Sequence, residues 1–469
     1  MMKVLQTRVL ILGGGATGTG LARDLALRGV ECLLTERRDI NAGASGGNHG
    51  LLHSGARYVA SDVEAAVECR EEGAILKKLA PQCIEDTGGL FVAVEGDNEH
   101  YVADFSAMCE KSGVPARELD LAEARNMEPV LSDKLIAAYE VEDASVDPFM
   151  LSLDNLAQAM TLGAGYERNA KIVGFTKKDG RIRCVSFLNE ATGDEFEVEA
   201  ELIVNATGAW AGVIAELAGA TIHILYSSGS LLITQDRLTR RVVNRLRQAS
   251  DSDILVQGGT VSVLGTTSVT VDHPDHCRPT VAETDAIIDD ARAMIPCLET
   301  TRYIRAYAGA RPLVMTGQGS DARSVSRGFS LIDHARDNVE NFITITGGKL
   351  TTYRMMAEKT ADMVCAKLGV DAPCLTKTEP LPPSTMGRWT EPGLGPKSWI
   401  GDRDSDDLIL CECEMVSKNA VNTIVEHMGP MRGESMLQCC IRELVYFDKL
   451  RQAQTSIASR HMTPMRTVW

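Results

Sequence analysis

The sequence predicts an α/β fold built around a Rossmann-like, doubly wound core, and three stretches carry that prediction. RVLILGGGATGTGLARDLALRGVECLLTE, residues 8–36, reads as a buried strand, a glycine-rich turn, a helix and a second strand ending on Glu36. ELIVNATGAWA, 201–211, and FITITGGKLTTYRMMAEKTADMVCAKLG, 342–369, each run from an apolar strand into a glycine turn, and the last continues as a long helix. Apolar strands that alternate with helices point to parallel pairing through crossover helices.

In the first unit Gly13, Gly15 and Gly18 fit the spacing G-x-G-x-x-G. The first glycine permits a tight turn, the second lets a pyrophosphate approach the backbone, and the third lets the helix pack closely on the strand. The helix start then offers free N–H groups and the positive end of its dipole to phosphate. Glu36 stands where an acid accepts hydrogen bonds from an adenosine ribose. An ordinary strand-to-helix turn would explain the glycines alone, but strand, helix and terminal acid together point to a dinucleotide. These residues do not choose between FAD and NAD. The two later turns favour FAD, because a long extended cofactor is wrapped by distant parts of one sheet. The helix after Gly347 and Gly348 can aim its N-terminus at a flavin ring, where reduction places negative charge.

Composition bounds the rest. At 469 residues the chain is long for one domain, and its 44% hydrophobic and 24% charged content is that of a globular enzyme. Forty-eight Lys plus Arg against 64 Asp plus Glu leave a net charge of −16, which opposes binding to nucleic acid through the overall field. Thirteen scattered cysteines, and a start that runs straight into a strand without the pattern of a signal peptide, predict the reducing cytoplasm. No stretch has the run of about 18 uncharged apolar residues that a spanning helix requires, so membrane contact is expected through a partner or a surface helix.

GGGATGTGLARDLALRG, HGLLHSGARY, VNATGAW, YAGARPL and ITGGKLTTYRMMAE occur in that order, and with them the chain up to about residue 375 resembles the FAD-dependent glycerol-3-phosphate dehydrogenases. The pattern is nearest to the large catalytic subunit of the anaerobic, three-subunit kind. HSGARY and GARPL separate this family from amine and amino-acid oxidases of the same flavin fold. The resemblance implies a FAD-binding Rossmann-like domain of the glutathione-reductase/D-amino-acid-oxidase type, assembled from about 1–90, 150–220 and 336–375. It also implies an inserted mixed-sheet substrate domain, mainly 221–335, and a small C-terminal unit. The implied reaction is oxidation of sn-glycerol 3-phosphate to dihydroxyacetone phosphate by hydride transfer to FAD. Electrons would pass through electron-transfer and membrane-anchor partner subunits to a membrane quinone. The chain would then be cytoplasmic and peripherally attached to the inner face of the cell membrane through those partners. A glycerol-3-phosphate oxidase using oxygen and a noncatalytic flavin-bound scaffold are the competing readings, and the charge disfavours a flavin-dependent nucleic-acid modifying protein.

Such a reaction needs a hydride acceptor, a base for the hydroxyl proton and cations for the phosphate. His53 in HSGARY is the candidate base, because an imidazole takes a proton near neutral pH. Arg57 and Tyr58 either pair with substrate or orient the loop. Arg311 in YAGARPL and Arg327 in SVSRGFSL match family positions that bind substrate, and a guanidinium makes paired, charge-assisted hydrogen bonds to phosphate. Lys349 reaches substrate or flavin, its charge suiting a phosphate or a reduced flavin. Some family members carry a histidine near 229–234, where this chain reads GSLLIT, so no second base is evident there. Cofactor contacts are expected from Gly13, Gly15, Ala16, Thr17, Gly18, Glu36, Arg37 and Ser45, and from Asn48, His49, Gly50 and Leu51. Val173, Thr207, Gly208, Gly348, Lys349, Leu350 and Thr351 complete that set.

Residues 376–405 hold five prolines, Pro380, Pro382, Pro383, Pro392 and Pro396, and read as a linker. The region 406–469 opens with LILCECEM, whose Cys411 and Cys413 resemble the first half of a four-cysteine iron–sulfur module. The module would close with a Cys-x4-Cys pair, whereas Cys439 and Cys440 are adjacent and no cysteine follows. Side chains of adjacent residues diverge in regular structure, so a [2Fe-2S] cluster is doubtful and two stray thiols are expected instead.

Overall fold

Val9, Leu10, Ile11 and Leu12 are each fully buried, so the first strand is covered on both faces, as its unbroken apolar run requires. In the computed structural model, which describes residues 3–314, 328–383, 408–411 and 416–418, this run ends the strand Lys3–Leu12. Alternate side chains enter different layers. Val9 and Ile11 pack into a helical layer made by Ala16–Leu27, Pro148–Thr161 and Tyr353–Leu368. Leu10 and Leu12 point the other way, onto Phe187, Phe196, Phe342 and Ala215.

The strand pairs in parallel with Cys32–Glu36 on one side and Glu195–Asn205 on the other. Gly165–Arg168 extends the parallel sheet beyond Cys32–Glu36, and Phe342–Gly347 joins the far end of Glu195–Asn205. Three of the sequence's strand-to-glycine turns therefore end side by side at one edge of one sheet, the position at which a doubly wound sheet binds ligands. Antiparallel Ala170–Lys178, Arg181–Asn189 and Phe329–Asp333 complete its eight strands.

A second sheet of nine strands runs in the order Val269–Val271, Ile224–Thr234, Val261–Gly265, Ile254–Gly258, Val242–Arg245, Gly89–Val94, Leu135–Val141 and Ala116–Glu118, with Tyr303–Val314 also paired to Ile224–Thr234. The segment 221–335 thus supplies six of the nine, and 89–141 supplies the other three, while Phe329–Asp333 belongs to the first sheet. Helix Val281–Ala291 covers this sheet, its start closed by a capping box in which Thr280 and Glu283 bond each other's backbone N–H. A three-stranded ribbon of Leu51–Leu52, Ala144–Val146 and Ile84–Glu85 lies between the two sheets in the chain's path.

Residues 376–383, where the linker is expected to begin, are fastened to the body. Leu381 is buried, its N–H donates to the Leu79 carbonyl at 2.7 Å, and Arg23 donates to the carbonyls of Glu379 and Pro380. Farther on, Ile409–Cys411 pairs with Val416–Ser417, whereas Cys413, Cys439 and Cys440 lie outside the described residues. Among the described residues no helix is long and apolar enough to cross a membrane.

Candidate active site

The glycine turn is built for close approach. Gly13 has φ +108°, and a Cβ there would sit 2.7 Å from the Ala206 carbonyl oxygen. A Cβ on Gly18 would sit 1.9 Å from the Gly13 oxygen, so the helix can lie against the strand only without a side chain. Gly15 caps helix Ala16–Leu27 without a side-chain hydrogen bond, and of the first turn Ala16 donates to Ser45 Oγ at 3.0 Å. Glu36 accepts the N–H groups of Gly14 at 2.7 Å and Arg38 at 2.8 Å, and burial pushes its carboxyl above the usual range.

From this turn a cavity of about 550 Å³ runs between the two sheets. Gly13, Gly15, Ala16, Thr17, Glu36, Arg37, Ser45, Asn48, His49, Leu51, Thr207, Gly208, Gly348, Lys349 and Leu350 line it, as do the candidate catalytic residues His53, Tyr58 and Arg311. Residues separated by up to some three hundred positions in sequence thus share one wall because the three strand ends do. Tyr58 Oη lies 3.4 Å from His53 Nε2, with ring centres 5.1 Å apart. The Lys349 ammonium sits 5.1 Å from the centre of the Tyr58 ring. Its Nζ is buried and has no hydrogen-bond partner among the described residues. Arg311, on the second sheet, donates to the Thr267 carbonyl at 3.1 Å and to Thr266 Oγ1. Its guanidinium covers Gly229, where any Cβ would meet Nη2 at 2.3 Å, in the strand where a histidine is expected in some family members.

Other candidates fall elsewhere. Arg57 is not in the cavity wall: its guanidinium pairs with the buried Asp253 at 2.8 Å and donates to the Ser250 carbonyl, so it ties the loop to the second sheet. Thr351 is fully buried behind the wall, where its Oγ1 accepts the His53 N–H at 3.1 Å. The Gly50 carbonyl accepts the Val146 N–H at 2.7 Å, and Gly50 lines a smaller neighbouring cavity of about 80 Å³. Val173 is 46% exposed, whereas Ala170, Lys171 and Ile172 of its strand line the main cavity. Gly18 lies beneath the turn, and Arg327 is outside the described residues.

Sequence reading missed part of the wall. Trp210 and helix residues Val213, Ile214 and Leu217 line it beyond the Thr207–Gly208 turn, and the VNATGAW stretch was the available signal for the first of them. His273 and Asp275 come from the cap and body of the short turn Pro274–His276 that follows strand Val269–Val271, with no sequence cue, and Asp275 Oδ1 accepts the Trp210 indole N–H at 3.1 Å. Gly309 of YAGARPL lets the loop that follows strand Cys32–Glu36 lie against the second sheet: a Cβ there would lie 2.2 Å from the Gly47 oxygen. Beside it Tyr307 donates to the Asn48 carbonyl at 2.8 Å.

The residues fit a flavin dinucleotide. The glycine turn and helix start would meet a pyrophosphate and Glu36 a ribose, while Lys349, whose Nζ has no hydrogen-bond partner among the described residues, lines the same cavity as His53, Tyr58 and Arg311. Among the described residues no group of three or more His, Cys, Asp or Glu side chains is arranged to hold a metal ion.

Comparison with known proteins agrees with this geometry. Residues 8–363 match the family model described as FAD dependent oxidoreductase. The chain is 41% identical over 442 residues to a subunit of the anaerobic glycerol-3-phosphate dehydrogenase of Escherichia coli strain K12, covering 90% of this chain and 82% of that one. It is 42% identical over 445 residues to the corresponding protein of Haemophilus influenzae, covering 90% and 79%. Among solved structures, a glycerol-3-phosphate dehydrogenase from Bacillus halodurans complexed with FAD is similar, with TM-score 0.61, 25% identity and coverage of 80% of this chain and 67% of that one. The chain therefore belongs to the FAD dependent oxidoreductase family and, within it, to the family of these anaerobic glycerol-3-phosphate dehydrogenase subunits.

Proposed function

We propose that this chain oxidises sn-glycerol 3-phosphate to dihydroxyacetone phosphate with FAD. The observation that carries the reading is one cavity that joins a dinucleotide turn to His53, Tyr58, Lys349 and Arg311. When bound, FAD supplies the hydride acceptor. Arg311 binds the substrate phosphate with its planar donors, which aligns the C2 carbon. His53 takes the C2 hydroxyl proton as the hydride leaves, with the Tyr58 hydroxyl beside its Nε2 orienting the ring. Lys349 sets a positive charge that makes no hydrogen bond among the described residues against the negative charge of phosphate or reduced cofactor. Arg57 holds the loop through Asp253 and does not touch substrate. In this reading the first sheet is the FAD domain and the second the substrate domain.

Electrons then leave through partner subunits to a membrane quinone, and the chain attaches peripherally to the cytoplasmic face of the membrane through them. That each of the two relatives is named as one subunit of its enzyme supports this part. The test is anaerobic mixing of the flavin-loaded protein with sn-glycerol 3-phosphate while flavin absorbance is followed, with glycerol and the enantiomeric phosphate as controls. Bleaching by the one phosphate alone is expected. Bound flavin that stays oxidised would refute the substrate assignment.

A further inference from the structure

Asp143 is 2% exposed and lies where the strand Leu135–Val141 of the second sheet passes into Ala144–Val146, the ribbon strand paired with Leu51–Leu52. Its Oδ1 accepts the Ser54 N–H at 2.7 Å, its Oδ2 accepts Asn244 Nδ2 at 3.0 Å, and the Ser54 hydroxyl also bonds it. Ser54 Oγ in turn accepts the Ala56 N–H at 3.4 Å, at the start of the short turn Ala56–Tyr58. Among the described residues no Lys or Arg forms a salt bridge with this carboxylate, so its burial is compensated mainly by hydrogen bonds, with the Lys77 charge contributing without direct contact. A buried acid kept on such terms is costly as packing, since an apolar side chain would fill the space more cheaply.

What it holds is the loop of the proposed base. Two consecutive peptides are fixed by side chains from separate elements: the His53 N–H by Thr351, on the turn that carries Lys349, and the Ser54 N–H by Asp143. Asn244, fully buried in strand Val242–Arg245, pins the other carboxylate oxygen to the second sheet. We infer that Asp143 is a positioning residue, which sets His53 and Tyr58 in register with the substrate side of the cavity without touching substrate. The inference rests on the roles assigned above to His53 and Tyr58.

The test uses flavin-loaded full-length protein. Asp143→Ala is expected to retain FAD and bind sn-glycerol 3-phosphate within a few-fold of the parent, while anaerobic flavin reduction slows on the order of 10²-fold, the effect of a displacement of roughly 1 Å at a reacting group. Hydrogen exchange at the Ser54 amide should speed in the same variant. Asp143→Asn should recover most of the rate: its Oδ1 can accept from Ser54, and its amide N–H can donate to Asn244 Oδ1, which is buried without a partner among the described residues, once that amide turns over. If Asp143→Ala does not fold, Asn244→Ala removes the other anchor and should show the same pattern to a lesser degree. A folded, FAD-loaded Asp143→Ala or Asn244→Ala protein reducing at the parent rate would overturn the inference, as would Asp143→Asn being as slow as Asp143→Ala. Parent protein whose flavin the substrate fails to bleach would instead defeat the proposed function.

Discussion

Lys349→Met separates what Lys349 costs the fold from what it does for the reaction. The Lys349 ammonium follows the Gly347–Gly348 turn, lies 5.1 Å from the Tyr58 ring centre and is buried without a hydrogen-bond partner among the described residues. A buried donor left unsatisfied costs about 1–3 kcal/mol, more when charged, while a cation over an aromatic face regains about 0.5–2 kcal/mol. Methionine keeps the apolar stem and removes the charge. The FAD-free variant should therefore be more stable, by about 1 kcal/mol, than the FAD-free parent. The gain is limited by Glu68, whose carboxyl burial pushes up and the Lys349 charge draws back down. Urea unfolding of the two FAD-free proteins measures it. In the FAD-loaded protein the same change removes a preorganised charge, and loss of one such group slows a reaction about 10²–10³-fold. Single-turnover anaerobic reduction by sn-glycerol 3-phosphate reads that loss. A variant that is less stable without FAD, and reduces within about threefold of the parent with it, would refute the view that the ammonium waits for an anionic partner.

Gly18→Ala places a Cβ 1.9 Å from the Gly13 oxygen, so backbone must move, at about 1–3 kcal/mol, and purified protein should carry less FAD; full flavin occupancy would contradict the packing argument. Arg311→Gln should leave FAD bound and weaken sn-glycerol 3-phosphate about 10- to 100-fold, the value of charge-assisted hydrogen bonds, with glycerol itself unaffected; an unchanged dissociation constant would remove Arg311 from the phosphate site. Glu36 is held above the usual carboxylate range by burial, so the folded FAD-free protein binds more protons than the unfolded chain between the usual value and the raised one. Its stability should fall as pH rises through that window, while FAD, whose ribose hydroxyls favour the ionised carboxylate, should bind more tightly. Glu36→Gln should flatten both slopes, measured by urea titration and by flavin fluorescence; slopes that persist would assign them to another group.

The nucleotide half of the site was legible in the chain because its parts are local. Gly13, Gly15 and Gly18, the apolar runs before each glycine turn, and Glu36 at the end of its strand are positions whose spacing alone dictates backbone path and helix start. The half proposed to react was legible only as a roster of residue types. Tertiary packing decided that Arg57 turns to Asp253 rather than to the cavity, that Thr351 supports His53 from behind the wall, and that the side chain of Val173 stands in solvent. It also brought in Asp143, His273 and Asp275, which no motif marks. The physical reason is range. A turn is governed by the conformational limits of neighbouring residues, whereas the partner of a charged side chain is whichever group a distant strand delivers, and here the delivery depends on Gly309 of the second sheet letting the loop that follows strand Cys32–Glu36 lie against it at Gly47.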